Sequence, residues 1–250
     1  MKYYRTSEIA KAVHVHPNTV RLYEEWGLLM PVPRDKNGYR RYSQAHLEQM
    51  RLARYALRCE FAAGKIREKA TAIVRTAARG DLDQAKHLAR AYLQHVHQEQ
   101  KRAREVLEVV KDWIRGNWQE EEILCLKRQQ ASDLTGVSID VLRGWERNAL
   151  IDIPRDPKNN YRYYGSREIK RLKLIRLLRT ANYSYMSIHR MMRQIDAGMG
   201  VEAVDYINKP SAEEDIITAT DRWIQTLQET EDDAKLVIRQ LERMGSCQHS

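Results

Sequence analysis

A segment near the start of the chain recurs in its second half, and this repeat constrains the fold more than any other feature. Val20-Arg21-Leu22-Tyr23-Glu24 is followed by Gly27-Leu28-Leu29, a short basic stretch and Gly38-Tyr39-Arg40-Arg41-Tyr42. The second copy reads Leu142-Arg143-Gly144-Trp145-Glu146, then Leu150-Ile151 and Asn160-Tyr161-Arg162-Tyr163-Tyr164. Arg21 and Arg143, Tyr23 and Trp145, Tyr39 and Tyr161, and Tyr42 and Tyr164 all stand 122 residues apart. Phe61 aligns with Tyr183 and Ile66 with Ile188 at the same spacing. A repeat of this length means two copies of one domain, not a solenoid of short units.

Within the first copy, Thr6 is expected to cap a helix whose apolar stripe is Ile9, Ala12 and Val13. A turn at 13–16 leads to Pro17, which suits a first helical position because its missing N–H is not needed there. The second helix runs to about Trp26 and stops at Gly27. Two helices across a tight turn form a helix-turn-helix, the second helix being the reader. Pro31-Val32-Pro33 cannot continue it. Asn37-Gly38 then signals a hairpin whose returning strand is Tyr39–Tyr42, a small basic wing. Ser43 caps a helix through Leu47, Met50 and Ala53, and a further helix is expected over 62–79.

From 82 to 115 the residues Leu82, Ala85, Ala89, Tyr92, Val96, Glu99, Ala103, Val106, Val110 and Trp113 recur three and four apart. That is the seam of a coiled coil. After Pro210, Ser211 is expected to cap a second long helix to about Met244, with Ile217, Thr220, Ile224, Leu227, Glu231, Ala234, Ile238 and Leu241 as its stripe. The predicted fold is mostly α: two winged helix-turn-helix domains, each followed by a long helix that forms an antiparallel coiled coil. The expected boundaries are 1–80 for the first winged domain, 81–116 for the long helix and 117–123 for a linker. The second winged domain takes 124–200, and the second long helix and tail take 201–250.

A net charge of +9 over 250 residues favours a polyanionic partner. The cysteines, Cys59, Cys125 and Cys247, make no CxxC or CxH pair, so neither a zinc site nor a disulfide framework is signalled. His95 and His97 point to different helix faces, and His14 and His16 sit in a turn, so no metal ligation is expected. No nucleophile–base constellation, phosphate loop or carboxylate pair stands out, so no enzyme and no cofactor are expected. The N-terminus carries no apolar signal segment and no run reaches 18 apolar residues, which predicts a cytoplasmic, nucleoid-associated protein rather than a membrane one.

The expected DNA contacts follow from the repeat. In the first head, Asn18, Thr19 and Arg21 lie early on the reading helix, where side chains reach base edges. Arg21 suits guanine or phosphate, and Tyr23 a phosphate. Glu24 and Glu25 face away from phosphate or hold arginines in place. The wing adds Arg34, Lys36, Asn37, Tyr39, Arg40 and Arg41. In the second head the counterparts are Ser138, Arg143, Trp145, Lys158, Asn159, Tyr161, Arg162 and Tyr163. Asp140 repels phosphate, complements the helix dipole or accepts from a cytosine amino group, so the second head reads a different sequence from the first.

Ile9-Ala10-Lys11, Thr19-Val20-Arg21-Leu22-Tyr23-Glu24, Gly27-Leu28-Leu29-Met30-Pro31 and Gly38-Tyr39-Arg40-Arg41-Tyr42 resemble the MerR family of transcriptional regulators. The second copy is similar in weaker detail, through Leu134-Thr135-Gly136-Val137-Ser138, Arg143 and Tyr161-Arg162-Tyr163-Tyr164. The resemblance implies binding to double-stranded promoter DNA, its distortion, and engagement of RNA polymerase there. It also implies a dimer joined by antiparallel long helices. Two heads in one chain make an intrachain pseudo-dimer the expectation, ahead of a homodimer with four heads. Leu22 and Gly144 stand where many members carry an aromatic, and the paired cysteines of metal-sensing members are missing after the long helix. A small-molecule effector is open and unnamed. The alternatives are a DNA-architectural or recombination-directionality protein, and a ligand-sequestering protein whose pocket uses Tyr183, Tyr185, Met186, Met191, Met192, Trp113, Trp118 and Trp223.

Overall fold

The computed structural model describes residues 3–58, 65–116, 125–210 and 219–246. The start of the helix expected at 62, the linker, Phe61, Trp118, Ser211 and Ile217 lie outside those residues. The first head is built from α1 (Thr6–Ala12), α2 (Pro17–Glu25), α3 (Gln44–Ala56) and α4 (Ile66–Ala78), followed by the 33-residue α5 (Leu82–Ile114). The second head is α6 (Arg128–Thr135), α7 (Ile139–Arg147), α8 (Ser166–Thr180) and α9 (Tyr185–Asp196). Two 3-10 segments, Val201–Asn208 and Ala219–Arg222, lead into α10 (Trp223–Ser246). No described helix is long and apolar enough to cross a membrane.

The repeat extends to the backbone. Tyr4 pairs with Tyr42 in an antiparallel bridge, and Leu126 with Tyr164. Three left-handed positions recur 122 residues apart although their residues differ: His14 with Gly136, Gly27 with Ala149, and Gly38 with Asn160. Tyr42 and Tyr164, both buried, sit at the same point under the two heads. In α1 the sequence reading is displaced by one residue. Arg5 is the N-cap, its N–H donating to Glu8 at 2.6 Å, and Thr6 lies inside the helix.

The chain divides into two compact units, 1–99 with 226–250, and 100–225. In the first unit α5 buries Leu82, Ala85, Ala89, Tyr92 and Val96, as its spacing predicts. The later part of α10 lies against this face. His97 is 3.3 Å from Glu231, and the Lys86 ammonium lies against Gly245, so the two helices run antiparallel. The same stretch of α10 is tied to α3. Arg58 pairs with Asp233 at 3.0 Å, and the Gln240 amide donates to the Glu48 carboxylate at 2.7 Å. The first head is therefore packed against the end of the last helix of its own chain.

The second unit holds the second head together with the later part of α5. Tyr183 is fully buried and its hydroxyl donates to the Ala103 carbonyl at 3.4 Å. Burial pushes that phenol well above its ordinary range. Trp223 is also fully buried, its indole N–H donating to the Ala181 carbonyl at 2.8 Å. Met191 and Met192 are buried, whereas Tyr185 and Met186 are exposed. The aromatic and methionine cluster read as a candidate pocket is thus split between core and surface. Asp221, 1% exposed, accepts from the Ser184 and Ser187 hydroxyls and lies 3.8 Å from Arg190.

The second long helix departs from its expected length. It starts at Trp223 and has 24 residues, against 33 for α5. Asp221 lies within the 3-10 turn Ala219–Arg222, and Val201–Asn208 forms a separate 3-10 element packed on α9. The buried face of α10 carries Leu227, Thr230, Ala234, Val237 and Leu241 rather than the strict expected stripe; Glu231 and Ile238 are half-buried.

Ala149 (φ +54°) occupies the left-handed position that Gly27 (φ +67°) fills in the first head. An L-residue there costs about 1–2 kcal/mol, more than the extra unfolded-state entropy of glycine. Ala149→Gly is expected to stabilise the protein by about 0.5–1 kcal/mol, measured by chemical denaturation.

Candidate nucleic-acid interface

Each reading helix begins on a side-chain cap. The Asn18 N–H donates to His16 Nδ1 at 3.2 Å, and the Val141 N–H to the Ser138 hydroxyl at 3.4 Å. The inward face of α2 buries Val20 and Tyr23, and that of α7 buries Leu142 and Trp145. The outward face, at the i, i+3, i+4, i+7 spacing, is Asn18, Arg21, Leu22 and Glu25 in α2. In α7 it is Asp140, Arg143, Gly144 and Arg147. Arg21 donates to the Asn18 side-chain carbonyl at 3.1 Å, and Arg143 pairs with Asp140 at 3.2 Å. The geometry is repeated, but an amide in one head is a carboxylate in the other.

The wings are short hairpins held by single antiparallel bridges, Arg34 with Arg40 and Arg155 with Arg162. The first turns at Asn37-Gly38, as its sequence signals. Its three-residue loop, 36–38, ends on left-handed Gly38, and the Asp35 carboxylate accepts from the Asn37 and Tyr39 N–H groups, both at 2.9 Å. The Asp156 N–H donates to the Tyr161 carbonyl as that of Asp35 does to Tyr39, so the second loop, 157–160, is one residue longer. The spacing of 122 therefore slips to 121 at Arg34 and Arg155 and returns at Tyr39 and Tyr161.

A carboxylate clamp joins wing to reading helix in both heads. Arg40 Nε donates to Glu24 at 2.6 Å, and this bond raises the arginine's pKa. Arg162 pairs in the same way with Glu146, which also lies 3.5 Å from Arg128. These half-buried ion pairs fix the angle between wing and reading helix, and a charge-assisted bond of this kind contributes about 1.5–3 kcal/mol. His46, 3% exposed, anchors the wing's entry. Its Nδ1 accepts from the Ser43 N–H at 3.0 Å and its Nε2 lies 3.3 Å from the Pro31 carbonyl. Gln49 accepts from the Met30 N–H at 2.8 Å.

Of the residues expected to touch DNA, Asn18, Arg21, Arg34, Lys36, Tyr39 and Arg41 are exposed, and Thr19 is half-buried. In the second head Ser138, Arg143, Lys158, Asn159 and Tyr161 are exposed, and Tyr163 is half-buried. Tyr39 and Tyr161 project from the two wings at 70% and 69% exposure. Arg41 stacks its guanidinium 3.9 Å from the centre of the Tyr3 ring.

Four of the expected contacts are placed differently from these exposed ones. Tyr23 and Trp145 lie mostly in the core under their helices, and the Trp145 indole nitrogen is itself buried. Arg40 and Arg162 are committed to Glu24 and Glu146 and act first as positioning residues. Leu22, Trp26, Gly144 and Arg147 are not among the expected contacts, yet all lie on or beside the outward faces; the i+4 spacing from Asn18, Asp140 and Arg143 places Leu22, Gly144 and Arg147 there. Among the described residues no group of three or more His, Cys, Asp or Glu is placed to hold a metal ion. Cys125 is exposed and free, while Cys59 and Cys247 lie outside the described residues.

Burial first of all holds the His46 pKa below its ordinary value, against the opposing pull of the Pro31 and Met30 backbone. The folded state therefore favours neutral imidazole. Stability from this site is present above the unfolded value of about 6.5 and is lost as pH falls from there towards the folded value. His189, held low by burial and by Arg193 and Arg171, acts in the same direction. Glu168 occupies the position of His46 in the second head, accepting from the Gly165 N–H at 2.9 Å. His46→Gln is expected to flatten the fall in stability between about pH 6.5 and 5, followed by denaturation at each pH; an unchanged slope would exclude His46 as its source.

The chain matches the family model described as MerR HTH family regulatory protein twice, over residues 4–72 and 127–195, together more than half its length. It is 42% identical over 55 residues to the HTH-type transcriptional regulator CueR of Escherichia coli O6:H1, covering 22% of this chain and 41% of that protein. To the HTH-type transcriptional regulator ZntR of Escherichia coli strain K12 it is 34% identical over 65 residues, covering 26% and 46%. The chain thus spans less than half the length of these curated relatives. No solved structure matches it.

Proposed function

The chain belongs to the MerR family of helix-turn-helix regulatory proteins, and on that footing we propose that it is a transcriptional regulator that binds specific double-stranded DNA through both heads. The observation that carries this reading is the repeated pairing of an exposed reading-helix face with a wing clamped beside it. Base edges would be met by Asn18, Thr19 and Arg21 in the first head, and by residues of α7 around Arg143 in the second. Phosphates would be met by Arg34, Lys36, Arg41 and Lys158, with Ser138, Asn159, Tyr39, Tyr161 and Tyr163 as polar partners along the backbone. The named relatives are transcriptional regulators, which supports the same class of activity here.

One chain is proposed to supply the whole two-headed unit. The pairing of α10 with α5 and α3 inside the first unit supports this, since it gives the first head the packing that a second subunit would otherwise provide. Two heads carried on one chain would bend or untwist the duplex between them, at a deformation cost of a few kcal/mol, and present a promoter to RNA polymerase. Such a protein would work in the cytoplasm at the nucleoid.

Arg21→Ala is expected to cost about 1–3 kcal/mol of binding to the selected site and to relax discrimination at one position. Arg41→Ala should weaken all sequences alike and reduce the salt slope by about 1. Equal binding of intact protein to selected and random duplex at physiological salt would overturn the reading. Chemical probing of the bound site should show hyper-reactivity at its centre, and uniform protection there would remove the distortion step.

A further inference from the structure

The two reading helices differ at one position in a way that nothing inside the protein explains. Gly144 lies in the interior of α7, on the outward face, where the first head has Leu22 at 40% exposure. Its backbone is ordinarily helical, so no left-handed conformation demands glycine. A Cβ built there would meet no atom of the described residues within 4 Å, so no contact among them demands it either. Glycine in a helix interior weakens the helix relative to alanine. A residue that costs stability, on a face with open space in front of it, leaves room for something outside the chain.

Its neighbours say what that something is. Asp140 and Arg143 stand one turn N-terminal to Gly144 and beside it, paired at 3.2 Å and both strongly exposed, and Arg147 follows one turn on. Ser138 already caps the helix, so Asp140 is not needed for capping. In a major groove a carboxylate accepts from the cytosine amino group and an arginine donates to guanine O6 and N7. A carboxylate faces away from phosphates, so this acidic tip favours base edges over the DNA backbone. The first head offers Asn18, Arg21, Leu22 and Glu25 instead, with a neutral tip and an acidic far end. Amide side chains suit adenine.

We propose that Gly144 is a close-approach point where the backbone of the second reading helix lies against the base edges of the major groove, with the Asp140–Arg143 pair selecting a G·C pair there. The inference rests on the DNA-binding reading and deepens it. The protein then recognises two unlike half-sites, and the second is read at shorter range than the first. Arg147 faces the flanking phosphates in place of Glu25 of the first head.

The test separates stability from binding in the full-length chain. Gly144→Ala should raise the melting temperature by about 2–4 °C, because it improves the helix. The same variant should lose about tenfold in affinity for the selected site, the added methyl holding the helix off the groove. Asp140→Asn should shift base preference at one half-site, away from G·C, and leave the other unchanged. Gly144→Ala with higher stability and unaltered DNA affinity would overturn the close approach. Asp140→Asn with the wild-type base profile would overturn the selection of G·C. If wild-type protein shows no sequence preference at all, the regulator reading fails first, and the inference with it.

Discussion

Long helices with one apolar stripe cannot stand alone in water, and that constraint organises this protein. In α5 the stripe runs through Ala85, Ala89, Tyr92 and Val96, all buried. Small alanines allow a partner backbone to come close, and each larger buried side chain contributes about 1.5–3 kcal/mol. In the first unit the partner is the end of α10, with Ala234, Val237 and Leu241 buried. Directional contacts then fix the register. Arg58 with Asp233 and Gln240 with Glu48 tie α10 to α3, and α3 in turn carries His46 and Gln49, which hold the entry of the wing. Packing remote from the wing and reading helix thus reaches them through two or three named side chains.

The heads show how one backbone tolerates two sequences. His14, Gly27 and Gly38 share left-handed geometry with Gly136, Ala149 and Asn160. Tyr23 and Trp145 fill the same place under the reading helix. Glu24–Arg40 and Glu146–Arg162 join the same two elements. What changes is the outward face, where Asn18, Leu22, Glu25 and Arg41 give way to Asp140, Gly144, Arg147 and Tyr163. A shared scaffold with a divergent reading face is the pattern expected when two copies address different partners.

Much of the fold was legible because periodicity and punctuation agree in this chain. Pro17, Gly27 and Ser43 bound α2 and α3 where their chemistry says, and α5 follows its heptad stripe nearly to the end. The misses share a physical cause: each depends on a partner distant in sequence. The 3-10 turn ahead of α10 carries Asp221, whose partners Ser184 and Ser187 lie more than thirty residues away. The burial of Tyr23 and Trp145 follows from what packs beneath them, and the commitment of Arg40 from Glu24 sixteen residues away. Local spacing shows that an arginine faces a wing, but not that a carboxylate has already claimed it.

Whether a single chain supplies the whole two-headed DNA-binding unit, as proposed, is decided by the mass of the complex with a selected duplex, measured by light scattering or sedimentation at micromolar protein. One 29.4 kDa chain per site and a sequence without two-fold symmetry are expected. Two chains per duplex on a palindromic site would overturn the proposal.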